Sequence, residues 1–309
     1  MIQVVITGAD GFIGSHLVAF FNSVNISVIA LVIPGNKTNS RILSLENVTI
    51  IECNLNKWDD ICLPIESNKE ILFYHLAWAG VSPEYRNSIE KQLVNIQLAL
   101  DAEKLAKKLN VKKFITLGST MEYLYAGKPI DETALPTPQT AYGATKVAVR
   151  YLCQEFAREE NLPFIYVVAT GVYGADRLDD NVITYTARKL LHKERPSLTG
   201  LEQLWDYIHI DDLVWALYLV GEKGQSGAFY AVGHGDNYPL MHYVKIIHNL
   251  IDPTLPIGIG DIPYMTTQLP SSCVNLLPLI HDTGFKPKIC FEEGVKDVIA
   301  FLEKEKLQP

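Results

Sequence analysis

Residues 2–22 have the sequence IQVVITGADGFIGSHLVAFFN, and the pattern of this stretch decides the fold. The apolar run Ile2–Thr7 leads into Gly8-Ala9-Asp10-Gly11-Phe12-Ile13-Gly14, and a helix-like segment follows from Ser15 to about Asn22. In such a strand-turn-helix unit, glycines let the backbone approach a pyrophosphate, and the helix N-terminus offers free N–H groups and the positive end of its dipole. The stretch therefore predicts a dinucleotide site. The simpler alternative is a tight left-handed turn without a ligand.

Strands and helices alternate beyond this unit. The expected elements are strands at Ser27–Ile33, Val48–Cys53, Ile71–Leu76, Lys113–Gly118 and Phe164–Ala169, and helices at Asn87–Asn110 and Gln139–Glu160. Alternation of this kind predicts an α/β fold, a Rossmann-type doubly wound parallel sheet with ligands at the carboxyl ends of its strands. The alternation breaks down after Gly174. We therefore expect a dinucleotide-binding domain over residues 1–172 and a smaller C-terminal substrate-binding lobe over 173–309, with segments returning to the first domain.

The chain after the second strand bears on the choice of cofactor. A fold of this type that prefers NAD usually carries an acid about 20 residues beyond the glycines, where it binds the ribose 2′-hydroxyl. No acidic residue occurs between Asp10 and Glu46, whereas Lys37 and Arg41 follow the strand. This pattern favours NADP(H), with NAD(H) as the alternative. The alternative is that Lys37 and Arg41 are only solvated loop charges, in which case they say nothing about the cofactor.

Tyr142-Gly143-Ala144-Thr145-Lys146 supplies the candidate chemistry. In a helix, Tyr142 and Lys146 emerge on one face, because residues four apart are neighbours. An ammonium beside a phenol lowers the phenol pKa from its usual value near ~10, which would make Tyr142 a usable proton donor and acceptor. An ordinary amphipathic pair is the alternative if nothing else in the chain supports this chemistry.

The order and spacing of these parts resemble the extended short-chain dehydrogenase/reductase family, which contains nucleotide-sugar epimerases, dehydratases and ketoreductases. Besides the glycine turn, Ser119 and Tyr142-x-x-x-Lys146, the landmarks are Ile130-Asp131-Glu132, Val172-Tyr173-Gly174, Trp205-Asp206-Tyr207-Ile208-His209-Ile210-Asp211-Asp212, Thr283-Gly284-Phe285-Lys286-Pro287 and Phe291-Glu292-Glu293-Gly294. The matches run through nearly the whole chain. They are specific for the family and say little about the substrate.

The resemblance implies a role for each catalytic residue. Ser119 would hydrogen-bond the reacting oxygen, Tyr142 would exchange its proton, and Lys146 would hold the nicotinamide ribose while lowering the pKa of the tyrosine. The implied cofactor-binding residues are Gly8, Gly11, Phe12, Ile13, Gly14, Asn54, Leu55, Leu76, Ala77, Asn95 and Val172, besides Tyr142 and Lys146.

Departures from the family pattern narrow the activity. Its hexose 4,6-dehydratases carry an Asp-Glu pair directly after the catalytic hydroxyl, because eliminating water needs an additional acid and base. Thr120 and Met121 occupy those positions here. We therefore do not expect a dehydratase.

The substrate contacts are less well defined. Glu122, Asn181 and Trp205 are the candidates. The alternative for Glu122 is a helix start, and the alternative for Asn181 is a helix cap. Trp205 stands where many members have Arg, and Gly171 stands where many have Asn. Both changes put the usual binding of the diphosphate in doubt.

We expect no metal site. His209, Asp211 and Asp212 have suitable side chains, but the resemblance makes them a loop-to-helix junction with an aspartate as N-cap. The five cysteines, Cys53, Cys62, Cys153, Cys273 and Cys290, show no metal-ligand spacing. Their odd number suits reduced thiols and a cytoplasmic location.

The bulk composition excludes several partners. The 309 residues carry a formal net charge of −8, which argues against binding to nucleic acid or to an anionic membrane surface. The chain shows no charged-then-apolar leader and no apolar run of about 18 residues, so we expect neither secretion nor a membrane span.

The resemblance also implies a homodimer, formed by the helices Asn87–Asn110 and Gln139–Glu160. The alternative is that these helices only cover their own sheet. The leading hypothesis for the activity is reduction of the C4 ketone of a nucleotide-linked 4-keto-6-deoxyhexose. A 4-epimerase with tightly bound NAD is the alternative, and a catalytically idle NADP-binding sensor or scaffold is a third hypothesis.

Overall fold

The computed structural model describes residues 1–35, 40–54, 61–123, 129–177, 179, 181–264 and 271–306. Two residues expected at the cofactor site, Lys37 and Leu55, lie outside these ranges.

Strands and helices alternate along most of the described chain. The strands are β1 (Ile2–Thr7), β2 (Ser27–Val32), β3 (Val48–Glu52), β4 (Glu70–His75), β5 (Lys113–Ser119), β6 (Phe164–Ala169), β7 (Gly171–Tyr173), β8 (Ser197–Leu198), β9 (Leu204–Trp205), β10 (Tyr207–His209), β11 (Phe229–Val232), β12 (Tyr238–Pro239), β13 (Gly258–Ile259) and β14 (Ser271–Ser272). The α-helices are α1 (Phe12–Ser23), α2 (Ser40–Leu43), α3 (Ile89–Lys108), α4 (Ala141–Glu160), α5 (Val182–Leu191), α6 (Ile210–Lys223), α7 (Leu240–Ile251), α8 (Leu277–Thr283) and α9 (Phe291–Lys306). A single turn of 3-10 helix, Thr120–Glu122, follows β5.

The main sheet has the strand order β11-β6-β5-β4-β1-β2-β3, and each of its neighbouring pairs is parallel. This confirms the predicted Rossmann-type α/β fold. The chain direction across the sheet reverses between β1 and β4, so a crevice opens at the carboxyl ends of these strands. The glycine turn after β1, the serine at the end of β5 and the helix that carries Tyr142 all lie at this edge of the sheet.

Both faces of the sheet are buried, which explains why its strands are almost wholly apolar. On β1, Val4 and Ile6 face one core layer together with α1 and α6, whereas Val5 faces a second layer with α3 and α4. We call the seven-stranded sheet with α1–α4, α6 and α8 the sheet unit.

A third apolar cluster holds α5, α7 and α9 together. Its short strands pair as β7 with β10, β8 with β13, and β9 with both β12 and β14. We call α5, α7 and α9 with these strands the helical unit. The chain alternates between the units, since β11 returns to the edge of the main sheet after β10 has paired in the helical unit.

Several boundaries differ from the sequence-based ones. Helix α1 begins at Phe12, three residues earlier than expected, because Gly11 is the extended N-cap residue. Helix α3 is shorter than Asn87–Asn110 at both ends. The segment 176–200, in which no regular element was predicted, contains α5.

Candidate active site

The glycine turn presents the N-terminus of α1 to the crevice. Gly8 has φ +65°, and a Cβ atom there would lie 2.7 Å from the backbone nitrogen of Ala77, so only glycine fits. Phe12 and Ile13 open the helix and Gly14 follows. Gly11 caps it without a side-chain hydrogen bond, and its first turn carries no acidic residue. The free N–H groups therefore suit an anionic pyrophosphate.

The loop after β4 forms the opposite wall of this turn. Thr7 Oγ1 accepts hydrogen bonds from the backbone nitrogens of Leu76 and Ala77, both at 3.2 Å. Asn95, which is buried on α3, accepts from the backbone nitrogen of Ala79 at 2.7 Å and donates to its carbonyl oxygen at 3.0 Å. Leu76 and Ala77 thus lie at the predicted place. Asn95 shapes the loop with both ends of its amide.

Arg41 lies beside the first turn of α1. It donates to Ser15 Oγ at 3.0 Å and forms an ion pair with Asp176, a residue of the loop after β7. His16 Nε2 lies 3.3 Å from the same carboxylate. The carboxylate of Asp176 therefore already neutralises the guanidinium of Arg41, which we predicted from the sequence to lie near a cofactor 2′-phosphate. Asn54, the other described residue expected there, is exposed after β3.

Ser119 and Tyr142 are brought together by the close packing of two helix N-termini. A Cβ atom at Gly143 would lie 2.4 Å from the carbonyl oxygen of Met121, so α4 touches the 3-10 turn directly. Ser119 Oγ accepts from the backbone nitrogen of Met121 at 3.2 Å, and this side chain acts to lower the pKa of Tyr142. Thr140 caps α4 through the backbone nitrogen of Gly143. Ser119 thus both caps the turn and acts on the tyrosine.

Lys146 lies one helical turn below Tyr142 and is buried. Its Nζ donates to the carbonyl oxygen of Leu117 at 2.6 Å and lies 3.6 Å from the ring centroid of Trp78. The Tyr142 ring packs edge-on against the same indole, with centroids 5.6 Å apart. Burial lowers the pKa of Lys146, and the carboxylate of Glu122 acts in the opposite direction.

The pKa of Tyr142 shifts in the direction opposite to that expected from the sequence. Burial and the charge of Glu122 raise it, while Ser119 and the charges of Arg86 and Arg177 lower it by less. The ammonium of Lys146 donates to the carbonyl oxygen of Leu117 and lies 5.8 Å from the centroid of the Tyr142 ring. The phenol is therefore protonated at neutral pH.

Glu122 is placed differently from the substrate contact that we expected. Its side chain is 0% exposed and turns into the protein behind Ser119. Its Oε1 accepts from the backbone nitrogen of Ser119 at 2.7 Å and from the hydroxyl of Tyr166 at 2.9 Å. The helix-start alternative describes it better, since it completes a capping box with Ser119.

Asn181 also acts as a cap. Its Oδ1 accepts from the backbone nitrogens of Ile183 and Thr184, at 2.9 and 3.2 Å, at the start of α5. Trp205 lies beside Gly171, where a Cβ atom would be 2.9 Å from the indole nitrogen. That nitrogen is buried and has no hydrogen-bond partner in the described structure.

The junction at β10 and α6 corrects one detail of the sequence-based interpretation. The N-cap residue of α6 is His209, whose Nδ1 accepts from the backbone nitrogen of Asp211, and not an aspartate. Asp212 instead accepts from the backbone nitrogens of Lys288 and Ile289. No group of three or more metal-ligating side chains occurs among the residues that the structure describes.

Sequence reasoning missed three residues that affect Tyr142, namely Trp78, Arg86 and Arg177. Trp78 follows β4, so its place at the carboxyl edge of the sheet was a usable signal. Arg177 lies in the loop after β7, pairs with Asp179 and donates to the carbonyl oxygen of Val172. Nothing in the spacing of that loop indicated that its cation would face the phenol. Val172 itself is buried next to this loop.

The fold is that of a nucleotide-sugar enzyme with a Rossmann-type sheet, and comparison with known proteins identifies the family. The model of the NAD dependent epimerase/dehydratase family matches residues 4–233. The chain therefore belongs to this family, the extended short-chain dehydrogenases/reductases. Membership confirms the resemblance found in the sequence.

Individual relatives are distant and differ in activity. The dTDP-D-glucose 4,6-dehydratase of Bos taurus is 24% identical, over 96% of this chain and 87% of the relative. The GDP-6-deoxy-D-mannose reductase of Pseudomonas aeruginosa is 21% identical, over 96% of both chains. A solved UDP-glucuronic acid 4-epimerase of Bacillus cereus, in complex with a substrate analogue and NAD, is 17% identical with a TM-score of 0.84, over 99% of this chain and 100% of that one. The fold is shared, and the activities of these proteins do not agree on one reaction.

Proposed function

We propose that this protein reduces the C4 ketone of a nucleotide-linked 4-keto-6-deoxyhexose. The proposal rests above all on the packing of the N-terminus of α4, which carries Tyr142 and Lys146, against the turn that follows Ser119 at the carboxyl edge of the sheet. A nicotinamide cofactor, when bound there, supplies a hydride to C4. Tyr142 then gives its phenolic proton to O4 and is reprotonated from solvent. Ser119 stabilises the negative charge that develops on O4.

The protonation state of Tyr142 supports the direction of the reaction. Because burial raises its pKa, the hydroxyl holds a proton at neutral pH, as a general acid must. An oxidation would instead need the phenolate as a base. We propose that Lys146, one turn along the same helix, binds the nicotinamide ribose.

The proposed cofactor is NADP(H), with NAD(H) as the alternative. Arg41 at the first turn of α1, and the absence of an acid between Asp10 and Glu46, favour a 2′-phosphate. The ion pair with Asp176 acts against it. Titration of the purified protein with NADPH and NADH, followed by nicotinamide fluorescence, tests the preference. Tighter binding of NADH would refute it.

A 4-epimerase is the second candidate. The pairing of Arg41 with Asp176 favours it, because a neutralised guanidinium suits NAD, which an epimerase retains through its cycle of oxidation and reduction. Consumption of NADPH in proportion to added 4-keto sugar nucleotide would support the reductase. Interconversion of two sugar nucleotides without added cofactor would support the epimerase and overturn our proposal.

Dehydration is not proposed, although some relatives bear that name. Elimination of water needs an acid and a base beside the catalytic hydroxyl. Thr120 is buried, Met121 cannot transfer a proton, and the Glu122 carboxylate faces the interior. Accumulation of a 4-keto-6-deoxy product from a nucleotide hexose would contradict this reasoning.

The proposed substrate is a nucleotide sugar bound between the two units. Its sugar-nucleotide contacts are proposed to include Trp205, whose buried indole nitrogen lacks a partner in the described structure. Asn181 and Glu122 are less suited, since their side-chain oxygens already accept backbone hydrogen bonds.

A homodimer through α3 and α4 is also proposed. Three large apolar side chains on these helices are strongly exposed, Ile89 by 65%, Leu93 by 54% and Tyr151 by 51%. An apolar surface of this kind commonly marks an interface. Sedimentation analysis of Leu93→Glu should yield monomers, whereas Leu135→Glu, at an even more exposed leucine outside these helices, should not change the assembly. A wild-type monomer would refute the proposal.

A cytoplasmic location is proposed from the odd number of cysteines, which suits reduced thiols. Cell fractionation tests it. No helix in the described part of the chain has the length and apolarity to cross a membrane.

A further inference from the structure

A buried carboxylate lies directly behind the catalytic serine. Glu122 is completely shielded from solvent, and Oε1 accepts from the backbone nitrogen of Ser119 and from the hydroxyl of Tyr166. Its second oxygen, Oε2, is buried without a hydrogen-bond partner in the described structure. A carboxyl group in such a place is costly unless a nearby charge compensates it.

The backbone leaves room for this carboxylate. A Cβ atom at Gly118 would lie 2.6 Å from Glu122 Oε1 and 2.5 Å from the ring of Tyr166. Any other residue at position 118 would therefore displace either the carboxylate or the tyrosine. Gly118 of β5 thus lies at the point where the Glu122 side chain enters the core.

The compensating charges come from α4. Lys146 and Arg150 both favour the ionised form of Glu122, while burial raises the pKa of this carboxyl group to about 7. The hydroxyl of Tyr166 links the two elements, since it donates to Glu122 and lies 3.1 Å from the carbonyl oxygen of Lys146. Arg150 is directed to the hydroxyl of Tyr123 at 2.7 Å.

Lys146 depends on this carboxylate more than Arg150 does. Its ammonium has a carbonyl oxygen and an indole face as neighbours, and burial lowers its pKa. His75, on β4, does not lower the pKa of Lys146 further. Burial lowers the pKa of its own imidazole to about 3, so the ring carries no charge. Glu122 is the group that raises the pKa of Lys146.

We infer that Glu122 is a positioning residue, which fixes the backbone of Ser119 through Oε1 and keeps Lys146 in its ammonium form. Its carboxylate acts from behind the site and touches neither cofactor nor substrate. The inference rests on the proposed function only for the role of Lys146 in binding the nicotinamide ribose. The charge coupling itself can be measured on the protein alone.

The test uses protein labelled with ¹³C-lysine, in which the Cε resonance of Lys146 reports the charge of its amine. The resonance is assigned by its loss in Lys146→Arg. In Glu122→Gln, which keeps a hydrogen-bond acceptor but removes the charge, we expect the titration midpoint of Lys146 to fall by at least about one pH unit, a tenfold change in its acidity. A midpoint that stays in place would overturn the inference.

The matched control is Glu103→Gln. Glu103, on α3, is an equally buried glutamate, and neither of its carboxylate oxygens has a hydrogen-bond partner in the described structure. This substitution should leave the Lys146 titration unchanged. A shift equal to that of Glu122→Gln would show a general effect of core charge and overturn the proposed specific role.

Wild-type protein provides a second measurement if Glu122→Gln does not fold. Two coupled groups titrate in two shared steps, so the Lys146 resonance should move twice between pH 5 and 10. A single step near the ordinary lysine value would refute the coupling. The loss of NAD(P)H affinity at alkaline pH should follow the Lys146 midpoint; if it does not, Lys146 does not hold the cofactor, although the coupling to Glu122 stands.

Discussion

The sheet unit and the helical unit position their residues by different means. In the sheet unit, long parallel strands end at one edge, and backbone geometry alone brings Gly8, Leu76 and Ser119 together. In the helical unit the strands are two or three residues long, and an aromatic cluster of Tyr173, Tyr207, Tyr243 and Phe291 holds the elements in place, with ring centroids 4.7 to 6.2 Å apart. The order of the strands therefore determines where the proposed reacting groups lie. Side-chain packing determines which residues of the helical unit lie opposite them.

The largest effect is expected at the chemistry of the sheet unit. Replacing Tyr142 with Phe removes the proton donor, and we expect kcat for the reduction to fall by about 10²- to 10⁴-fold with little change in cofactor affinity. Loss of NADPH absorbance with a 4-keto sugar nucleotide measures the rate. Tyr151→Phe, on the exposed side of the same helix, is the control. Unchanged activity in Tyr142→Phe would favour a sensor or scaffold.

The second prediction compares two glycines with a left-handed backbone, one packed against another loop and one in open space. Gly8 and Gly284 both have positive φ, +65° and +74°, but a Cβ atom collides with Ala77 only at Gly8 and meets nothing within 4 Å at Gly284. Gly284→Ala should therefore cost only the left-handed backbone term, about 1–2 kcal/mol of unfolding free energy. Gly8→Ala should cost more and abolish cofactor binding. Urea unfolding and NADH titration measure both; equal losses would mean that the loop of Ala77 yields to the clash.

The sequence was sufficient for the sheet unit because its site follows from local patterns. Strand ends, a glycine turn and a Tyr-x-x-x-Lys helix each determine where their own residues lie, and the structure brings Ser119, Tyr142 and Lys146 together as expected. The exceptions depend on contacts between distant residues. Asp176 reaches Arg41 across the first turn of α1, and Glu122 turns inward because Gly118 leaves space.

The helical unit was less predictable for the same reason. Asn181 was equally a cap or a ligand in the sequence, and only the position of α5 decides for the cap. The N-cap of α6 is His209 because β10 ends at that residue and α6 starts directly after it. Asn181 forms a capping box with Thr184, three residues further on, but that local pattern counts as a cap only once a helix is known to start there.

The third prediction concerns the contact between the glycine turn and the loop after β7. Asp176→Asn removes the charge that neutralises Arg41, so a cofactor 2′-phosphate would meet a free guanidinium. Because the pair is partly exposed, we expect a modest change, about three- to tenfold in the ratio of NADPH to NADH affinity. Asp179→Asn, which alters the pair with Arg177, is the control. An unchanged ratio would place the 2′-phosphate out of reach of Arg41.

The smallest effect is expected in the helical unit, at Trp205. Its indole nitrogen is buried beside Gly171 and has no partner in the described structure, so Trp205→Phe removes a donor that contributes nothing to folding. The free energy of unfolding should stay the same or rise slightly, because a buried donor without a partner is destabilising. If this nitrogen donates to the sugar nucleotide, KM should rise about two- to threefold with kcat nearly unchanged, as expected for one lost hydrogen bond at the weak end of the usual range. A loss of stability with an unchanged KM would mean that Trp205 only fills space, and the substrate would then be recognised by other side chains of the helical unit.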